Sequence, residues 1–265
     1  MEITAAESWP DIVAFIPARA GSKRVKNKNI RLLGDQPLLA WTIQAAKDSD
    51  IFEKIIVSSD SDEILEIAAT YGAAGIKRPE EYATDTPPDI QWLRHIIDIL
   101  SPVPFNAFRS TATVFDAFAL LRPTSPFRTA DTIIRAYNQF ASAGRNIDSL
   151  RAVEKVKQHP GKMWTHYPQA NLITPLLPQP EYPWHSSQMA VLPEVWVQNA
   201  SMEIAWTDTI DRHGNQAGQT VAPFFTKDHE GFDINDEYDW MVAEIMAKQK
   251  TVPAPGQRKL IDIYG

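Results

Sequence analysis

Apolar segments alternate with amphipathic ones along the first part of the chain. Short apolar runs typical of buried strands cover residues 12–16, 54–60, 73–77, 118–121 and 148–153. Between them, helical patterns begin at Pro37, Ser61, Pro87 and Thr129, which are residue types that favour a helix start. Because strand and helix alternate at short intervals, the pattern predicts an α/β fold with a mostly parallel sheet and helices on both faces.

The pattern changes between residues 159 and 193. Seven prolines interrupt any helical or strand periodicity there, so the segment does not read as part of a regular core. Four aromatic residues make it too apolar for a disordered linker. We therefore expect an arm that packs on another surface, that of a second subunit. Strand-like segments at 201–206 and 220–225 and a final helix at 236–248 follow. The expected organisation is a single domain over residues 11–250, with the arm at 159–193 and a C-terminal tail at 251–265.

The first predicted strand leads into a strongly basic loop. Around Gly21 and Ser22, six cationic side chains lie between Pro17 and Gly34: Arg19, Lys23, Arg24, Lys26, Lys28 and Arg31. Gly21 allows the backbone to turn tightly, and open α/β sheets bind ligands at the carboxyl ends of their strands. The loop lacks the Gly-x-x-x-x-Gly-Lys-Ser/Thr spacing of a P-loop. It predicts a polyphosphate site, the alternative being a solvated basic loop.

Composition narrows the function classes. A formal net charge of −7 argues against general nucleic-acid binding, and the absence of cysteine excludes disulfides, thiolate nucleophiles and cysteine-ligated zinc. The six histidines show no metal-ligand spacing. No apolar run approaches the length of a membrane span and no secretory signal is visible. We therefore expect a cytoplasmic protein with neither membrane nor nucleic-acid partners.

Several motifs, in a fixed order, carry a more specific signal. They are Ile16-Pro17-Ala18-Arg19-Ala20-Gly21-Ser22-Lys23 with Lys28-Asn29-Ile30, Val57-Ser58-Ser59-Asp60, Arg78-Pro79 through Asp85-Thr86, Leu121-x-Pro123-Thr124-Ser125-Pro126-x-Arg128, and Asp233-Ile234-Asn235. Together they resemble the acylneuraminate cytidylyltransferase, or CMP-sialic acid synthetase, family over roughly residues 12 to 245.

The resemblance implies both a fold and a reaction. The fold is a Rossmann-like nucleotidyltransferase of the nucleotide-diphospho-sugar transferase type, with a dimerisation arm exchanged between two subunits. The reaction is transfer of CMP from CTP to the anomeric hydroxyl of a nonulosonic acid, with release of pyrophosphate. It also implies Mg²⁺ as the cofactor and a homodimer as the assembly.

The resemblance assigns the nucleotide end of the site. Arg19 and Lys23 would hold phosphates and take part in catalysis, and Arg78 would face the cytosine or ribose. The other nucleotide-binding positions are Ala18, Ser22, Lys28 and Asn29. For Arg78 the alternative is a surface arginine fixed beside Pro79, and Asp85 could equally be a capping residue.

The resemblance also assigns the metal site. Asp233 and Asn235 would hold the metal, and Asp233 would in addition be catalytic. If these residues lie on a strand, their alternate positions project to one face, and two oxygen ligands there suit Mg²⁺. The family usually has a second aspartate where this chain has Asn235. Asp236 and Asp239 are nearby candidates to compensate, and the alternative is that Asn235 or Asp236 caps the final helix.

The sugar end departs more from the family. Arg122 stands where many relatives have glutamine; it could bind the sugar's carboxylate, or form a salt bridge to a neighbouring acid. Lys162, in His159-Pro160-x-Lys162, resembles the lysine delivered by the partner's arm. Gln188 follows Ser187, where the family often has arginine, and Asn199 resembles a pocket residue. The alternatives are a synthetase for the eight-carbon acid Kdo, which the Ala-Arg-Ala-Gly-Ser-Lys loop disfavours, and a non-catalytic nucleotide-binding protein.

Overall fold

A computed structural model describes residues 9–84, 88–101 and 115–249. Asp85, Pro87 and the tail at 251–265 lie outside these residues, so the expectations attached to them stay predictions. The strands are β1 (Ile12–Pro17), β2 (Leu32–Leu33), β3 (Gln36–Pro37), β4 (Lys54–Ser59), β5 (Ala74–Lys77), β6 (Ala117–Leu120), β7 (Ser149–Lys155), β8 (Trp164–Tyr167), β9 (Leu172–Pro175), β10 (Trp196–Trp206) and β11 (Val221–Phe225). The α-helices are α1 (Leu38–Ser49), α2 (Asp62–Thr70), α3 (Asp89–Leu100), α4 (Ala130–Ala143), α5 (Thr209–His213) and α6 (Glu237–Lys248).

The main sheet has the order β11-β7-β10-β6-β1-β4-β5. Strand β1 is parallel to both β4 and β6, with Phe15 opposite Ile56 on one side and Leu120 on the other. Strand β5 continues the sheet parallel to β4, whereas β10 is antiparallel to β6. The predicted α/β fold with a mostly parallel sheet is confirmed.

Alternation along β1 sends its side chains to opposite faces of the sheet. Ala14 and Ile16 pack with α1, α2 and α4 on one face. Val13 and Phe15 pack with α3 and α5 on the other. Because both faces are covered, β1 is buried along almost its whole length, as its unbroken apolar run requires.

Two of the helices begin at the capping residues that the sequence predicts. The Ser61 hydroxyl accepts the Ile64 N–H at the start of α2, and Thr129 forms a capping box with Thr132 at the start of α4. Strand β10 is longer than the predicted segment 201–206, because it begins at Trp196. Among the described residues, no helix is long and apolar enough to cross a membrane.

The chain divides into two compact units, one of residues 1–152 with 199–265 and the other of residues 153–198. The second unit, which we call the arm unit, contains the predicted arm and extends it at both ends. It consists of the hairpin β8–β9, in which Trp164 lies opposite Pro175, and of short 3-10 turns such as Pro160–Lys162. The prolines explain why turns dominate, since each removes a backbone donor.

Candidate active site

The basic loop lies at the point where the strand order of the sheet reverses. After β1 the chain builds β4 and β5 on one side, and it then returns to place β6 on the other side of β1. Since β1 and β6 are parallel, the loop after Pro17 and the loop after Leu120 leave the sheet at the same edge. Open α/β sheets bind ligands in the crevice at such a reversal.

Buried polar contacts hold the beginning of the basic loop in place. The Ala18 N–H donates to the Ser58 carbonyl at 3.0 Å, at the end of β4. The Asn29 side chain is buried, and its Nδ2 donates to the Arg19 carbonyl at 2.9 Å, closing the loop on itself. The Ala20 N–H donates to the Asp60 carboxylate at 2.9 Å. Asn29, predicted to place the nucleotide, therefore also shapes the loop that carries Arg19.

The six cations of the loop occupy different environments. Lys23, Arg24 and Lys26 are exposed, whereas Arg19 and Lys28 are half-buried. A further contact runs from the Arg19 guanidinium to the Ala83 carbonyl at 3.5 Å.

Arg31 faces away from this group toward α6. It pairs with Glu237 at 2.7 Å and lies over the Trp240 ring, 4.3 Å from its centroid. Arg31 therefore ties the loop to α6.

Lys28 joins the basic loop to the predicted metal-binding segment. Its Nζ donates to the Ile234 carbonyl at 2.8 Å. Burial lowers the pKa of Lys28, and the Asp233 carboxylate opposes that effect. The two segments are 206 residues apart in sequence, so this contact brings the first and last motifs together.

Asp233 and Asn235 lie in the loop before α6 and not on a strand, so strand alternation does not place them on one face. Their side chains nevertheless meet, because Asn235 Nδ2 donates to Asp233 Oδ2 at 2.9 Å. Asp233 Oδ1 is buried without a hydrogen-bond partner in the described structure. Asp236 and Asp239 form the capping box of α6, which was the alternative considered for this segment.

The donor set fits a hard divalent cation. A buried carboxylate oxygen without a partner and a nearby amide oxygen are the ligand types that Mg²⁺ prefers. Within the described residues, no group of three or more His, Cys, Asp or Glu side chains could hold a metal ion. A cation at Asp233 would therefore complete its coordination with water or substrate oxygens.

Arg78 supports the basic loop through Ser58. It is buried, and its guanidinium donates to the Ser58 hydroxyl at 3.0 Å and to the Ser58 carbonyl at 3.2 Å. It lies over the Trp92 ring at 4.6 Å, and burial lowers its pKa to about 10. The alternative of a surface arginine is wrong, since only 5% of Arg78 is exposed.

Arg122 forms the salt bridges that were the alternative to sugar binding. Its guanidinium pairs with Asp89 and, at 3.5 Å, with Glu203. Burial would lower the pKa of Arg122, but these two carboxylates raise it. Sequence reasoning missed both acids, because nothing in their local sequence distinguishes them from other surface carboxylates.

Arg128 fixes the loop after β6. It is fully buried and donates to the Ser201 carbonyl of β10, to the Thr42 hydroxyl at 3.1 Å and to the Arg122 carbonyl at 3.4 Å. Burial lowers its pKa to about 9. These contacts connect the loop that carries Arg122 with the strand that carries Asn199.

The remaining predicted sugar residues lie in different places. Asn199 belongs to the main unit, where its Nδ2 donates to the Thr226 hydroxyl at 2.9 Å and its Oδ1 accepts the Ser201 N–H at 3.2 Å. Lys162 ends the first 3-10 turn of the arm unit, and Gln188 precedes the turn Met189–Val191. The structure therefore brings together Arg19, Lys28, Arg78 and Asp233, and it carries Lys162 and Gln188 on a separate unit.

Comparison with known proteins identifies the family. The family model described as Cytidylyltransferase matches residues 13–88, which contain the basic loop and Arg78. A CMP-N,N'-diacetyllegionaminic acid synthase of Legionella pneumophila is 34% identical over 235 residues, which cover 88% of this chain and 94% of that protein. An N-acylneuraminate cytidylyltransferase of Escherichia coli is 46% identical over 125 residues, 47% of this chain, but the match spans only 27% of that longer protein.

Solved structures support the fold alone, because their sequence identities are low. A CMP:2-keto-3-deoxy-manno-octonic acid synthetase complexed with CTP aligns with a TM-score of 0.64 at 11% identity, covering 91% of this chain and 99% of that one. A 4-diphosphocytidyl-2C-methyl-D-erythritol synthase from Anaerococcus prevotii aligns with a TM-score of 0.56 at 14% identity, covering 90% and 98%. With the Legionella match along nearly its full length, the chain belongs to the acylneuraminate cytidylyltransferase family.

Proposed function

We propose that this protein transfers CMP from CTP to the anomeric hydroxyl of a sialic-acid-like nonulosonic acid and releases pyrophosphate. The observation that carries the proposal is the nearly full-length match to a CMP-legionaminate synthase, in a chain whose basic loop lies at the reversal of a parallel sheet. The sugar hydroxyl oxygen attacks the α-phosphorus and loses its proton, while the bond to the β-phosphate breaks.

The nucleotide end supplies positive charge where the reaction develops negative charge. Arg19, Ser22 and Lys23 would contact the phosphates, with Lys28 behind them. Three further residues would position the nucleotide: Ala18, Asn29 and Arg78. Asn29 would do so by fixing the loop through the Arg19 carbonyl, and Arg78 through Ser58. A loop ordered before the substrate arrives lowers the barrier because little reorganisation is left for the reaction itself.

Mg²⁺ is proposed as the cofactor, held by Asp233 with Asn235. When bound, it would neutralise charge on the CTP phosphates. The buried Asp233 Oδ1 without a hydrogen-bond partner supports this assignment. The Lys28 contact to the Ile234 carbonyl would keep the carboxylate close to the phosphate-binding loop.

The sugar acid is assigned to Arg122, Asn199, Lys162 and Gln188. For Arg122 to bind the sugar's carboxylate, that carboxylate would have to replace Asp89 or Glu203. Lys162 and Gln188 belong to the arm unit. The resemblance to the family implies that this unit contributes to the active site of the partner subunit.

We propose a homodimer, and the ground for it is the exposed apolar surface of the arm unit. Several of its large apolar side chains are exposed, among them Tyr182 at 81%, Val191 at 73% and Leu172 at 62%. Monomeric proteins rarely expose this much apolar surface in one region, and a second copy would cover it. Light scattering of the purified protein at micromolar concentration should give the mass of a dimer in solution, and a monomeric mass would refute this part. We also propose that the protein acts in the cytoplasm, together with its substrates CTP and a nonulosonic acid.

The central test is pyrophosphate release from CTP and Mg²⁺ with a panel of nonulosonic acids and Kdo. Turnover with one or more nine-carbon acids supports the proposal. Turnover with Kdo alone would favour the synthetase named in the structural comparison. CTP binding without turnover on any acid would favour the non-catalytic alternative.

A further inference from the structure

The imidazole of His159 is fixed by two hydrogen bonds within the arm unit. His159 is only 3% exposed. Its Nδ1 accepts the Gly161 N–H at 2.9 Å, and its Nε2 lies 3.0 Å from the Pro193 carbonyl oxygen. Since an amide N–H only donates and a carbonyl oxygen only accepts, the ring must be neutral and carry its proton on Nε2.

The side chains around this ring are closely packed. A Cβ on Gly161 would lie 2.8 Å from the Trp184 ring and 2.9 Å from His159 Nδ1, closer than side chains tolerate. Trp184 packs edge-on against the imidazole, with ring centroids 5.9 Å apart. Glycine, histidine and tryptophan therefore form one close-packed group.

This group determines the turn that carries Lys162. The Lys162 N–H donates to the His159 carbonyl at 2.9 Å, and the Met163 N–H donates to the Pro160 carbonyl at 3.0 Å. The imidazole also caps this 3-10 turn, because it satisfies the Gly161 N–H. Moving the ring would leave a buried backbone donor unpaired and free the turn to shift.

We propose that His159, as the neutral Nε2–H tautomer, is a positioning residue that sets the placement of Lys162. The inference rests on the proposed function, in which Lys162 contacts the sugar acid. His159 itself touches no substrate: Nδ1 shapes the turn, and Nε2 connects it to Pro193, 34 residues later in the chain. A shift of about 1 Å in a positioned charge can lower catalytic efficiency by about 100-fold.

Two substitutions separate the two ring nitrogens. In His159→Asn the side-chain oxygen can take the place of Nδ1 and accept the Gly161 N–H, but the side chain is too short to reach Pro193. In His159→Gln the terminal amide can reach the Pro193 carbonyl but offers no acceptor at the Nδ1 position. His166→Asn, on the exposed part of β8, is the matched control.

The expected kinetics distinguish positioning from stability alone. His159→Gln should lower kcat/KM for the sugar acid by about 10- to 100-fold with KM for CTP unchanged, whereas His159→Asn should stay within about threefold of wild type. His159→Gln combined with Lys162→Ala should be no worse than Lys162→Ala alone. Equal losses in the asparagine and glutamine variants, or additive losses in the double variant, would overturn the proposal.

A spectroscopic readout is independent of turnover. In ¹⁵N NMR of the full-length protein, His159 should show an unprotonated Nδ1 and a protonated Nε2; a proton on Nδ1 would overturn the assignment. Wild-type protein that turns over no acid would refute the proposed function and, with it, the role given to Lys162. Normal wild-type turnover that His159→Gln leaves unchanged would refute only the inference about His159.

Discussion

Replacing Arg122 by glutamine is the sharpest test of the sugar end of the site. Glutamine removes the positive charge of Arg122 while keeping a polar side chain. The substitution breaks the ion pairs to Asp89 and Glu203. In this variant Asp89 would still accept a hydrogen bond from the Trp92 indole N–H at 2.9 Å, and Glu203 would still form its salt bridge with Arg151 at 2.5 Å.

The pKa shifts indicate that the pair with Asp89 stabilises the fold. Burial opposes the charged form in both residues, yet the pKa of Arg122 is raised and that of Asp89 is lowered. Their attraction to each other is the largest cause that opposes burial, and Glu203 adds to it for Arg122, as Trp92 and Arg78 do for Asp89. Charged hydrogen bonds contribute about 1.5–3 kcal/mol. Because the two side chains are 28% and 30% exposed, we reduce this to about 1–2 kcal/mol for solvent screening.

Denaturation of a double-mutant cycle measures this quantity. The four proteins are wild type, Arg122→Gln, Asp89→Asn and the double variant. We expect a coupling free energy of about 1–2 kcal/mol and a Tm lower by about 2–4 °C per kcal/mol in the single variants. Additivity within about 0.5 kcal/mol would refute the reasoning from the pKa shifts.

The same cycle decides between the two roles of Arg122. If Arg122 also binds the sugar's carboxylate, Arg122→Gln should raise KM for the sugar acid. Asp89→Asn, which releases the guanidinium from a competing carboxylate, should leave that KM unchanged or lower it. A KM that is the same in wild type and Arg122→Gln would restrict Arg122 to its structural role.

Three further perturbations follow from the geometry. The N–H groups of Thr220 and Gln219 hold the pKa of Asp148 far below its usual value. The ionised Asp148 therefore stabilises the fold above about pH 4, and this stabilisation is lost as the pH falls further. Asp148→Asn should lower the free energy of unfolding at pH 7 and make it depend less on pH in acid, as measured by urea unfolding between pH 7 and pH 3. Gly218→Ala should lower the free energy of unfolding by more than about 1 kcal/mol, because φ is +72° and the new Cβ would lie 2.3 Å from Asp148 Cβ. Gly214→Ala, with a similar φ of +69° and open space around the new Cβ, is the control in the same denaturation assay and should cost less. With CTP present, saturating Mg²⁺ at about 100 times its Kd should stabilise wild type by about 2.7 kcal/mol in a thermal-shift assay, and Asp233→Asn should lose most of that shift; an unchanged shift would remove Asp233 from the metal site.

The local parts of the fold could be predicted because their causes are local. Ser61 and Thr129 cap helices through bonds to residues three positions away, and β1 is an unbroken apolar run because both of its faces are covered. Strand β10 is different. Its antiparallel pairing with β6 depends on where the chain returns after the arm unit, and no local pattern specifies that return.

The candidate site was predictable by residue type but not by partner. The sequence predicts Lys28 and Asp233 as site residues, yet nothing in it indicates that Lys28 reaches the segment of Asp233 through the Ile234 carbonyl. Arg78 was expected to face the nucleotide, and the structure adds its bonds to Ser58. Partners of this kind are set by the parallel sheet, which brings strand ends that are distant in sequence to one edge.

The two ends of the site differ in how their charges are arranged. At the predicted nucleotide end, Asn29, Arg78 and Lys28 donate to the backbone carbonyls of Arg19, Ser58 and Ile234. Three residues predicted to contact the nucleotide therefore also order the basic loop and its surroundings. At the sugar end, Arg122 is paired with acids of α3 and β10. A carboxylate substrate entering there would compete with a charge pair already formed. The affinity for any sugar acid would then depend on how well its carboxylate replaces Asp89, so Asp89 and Arg122 together would determine how tightly the acid binds.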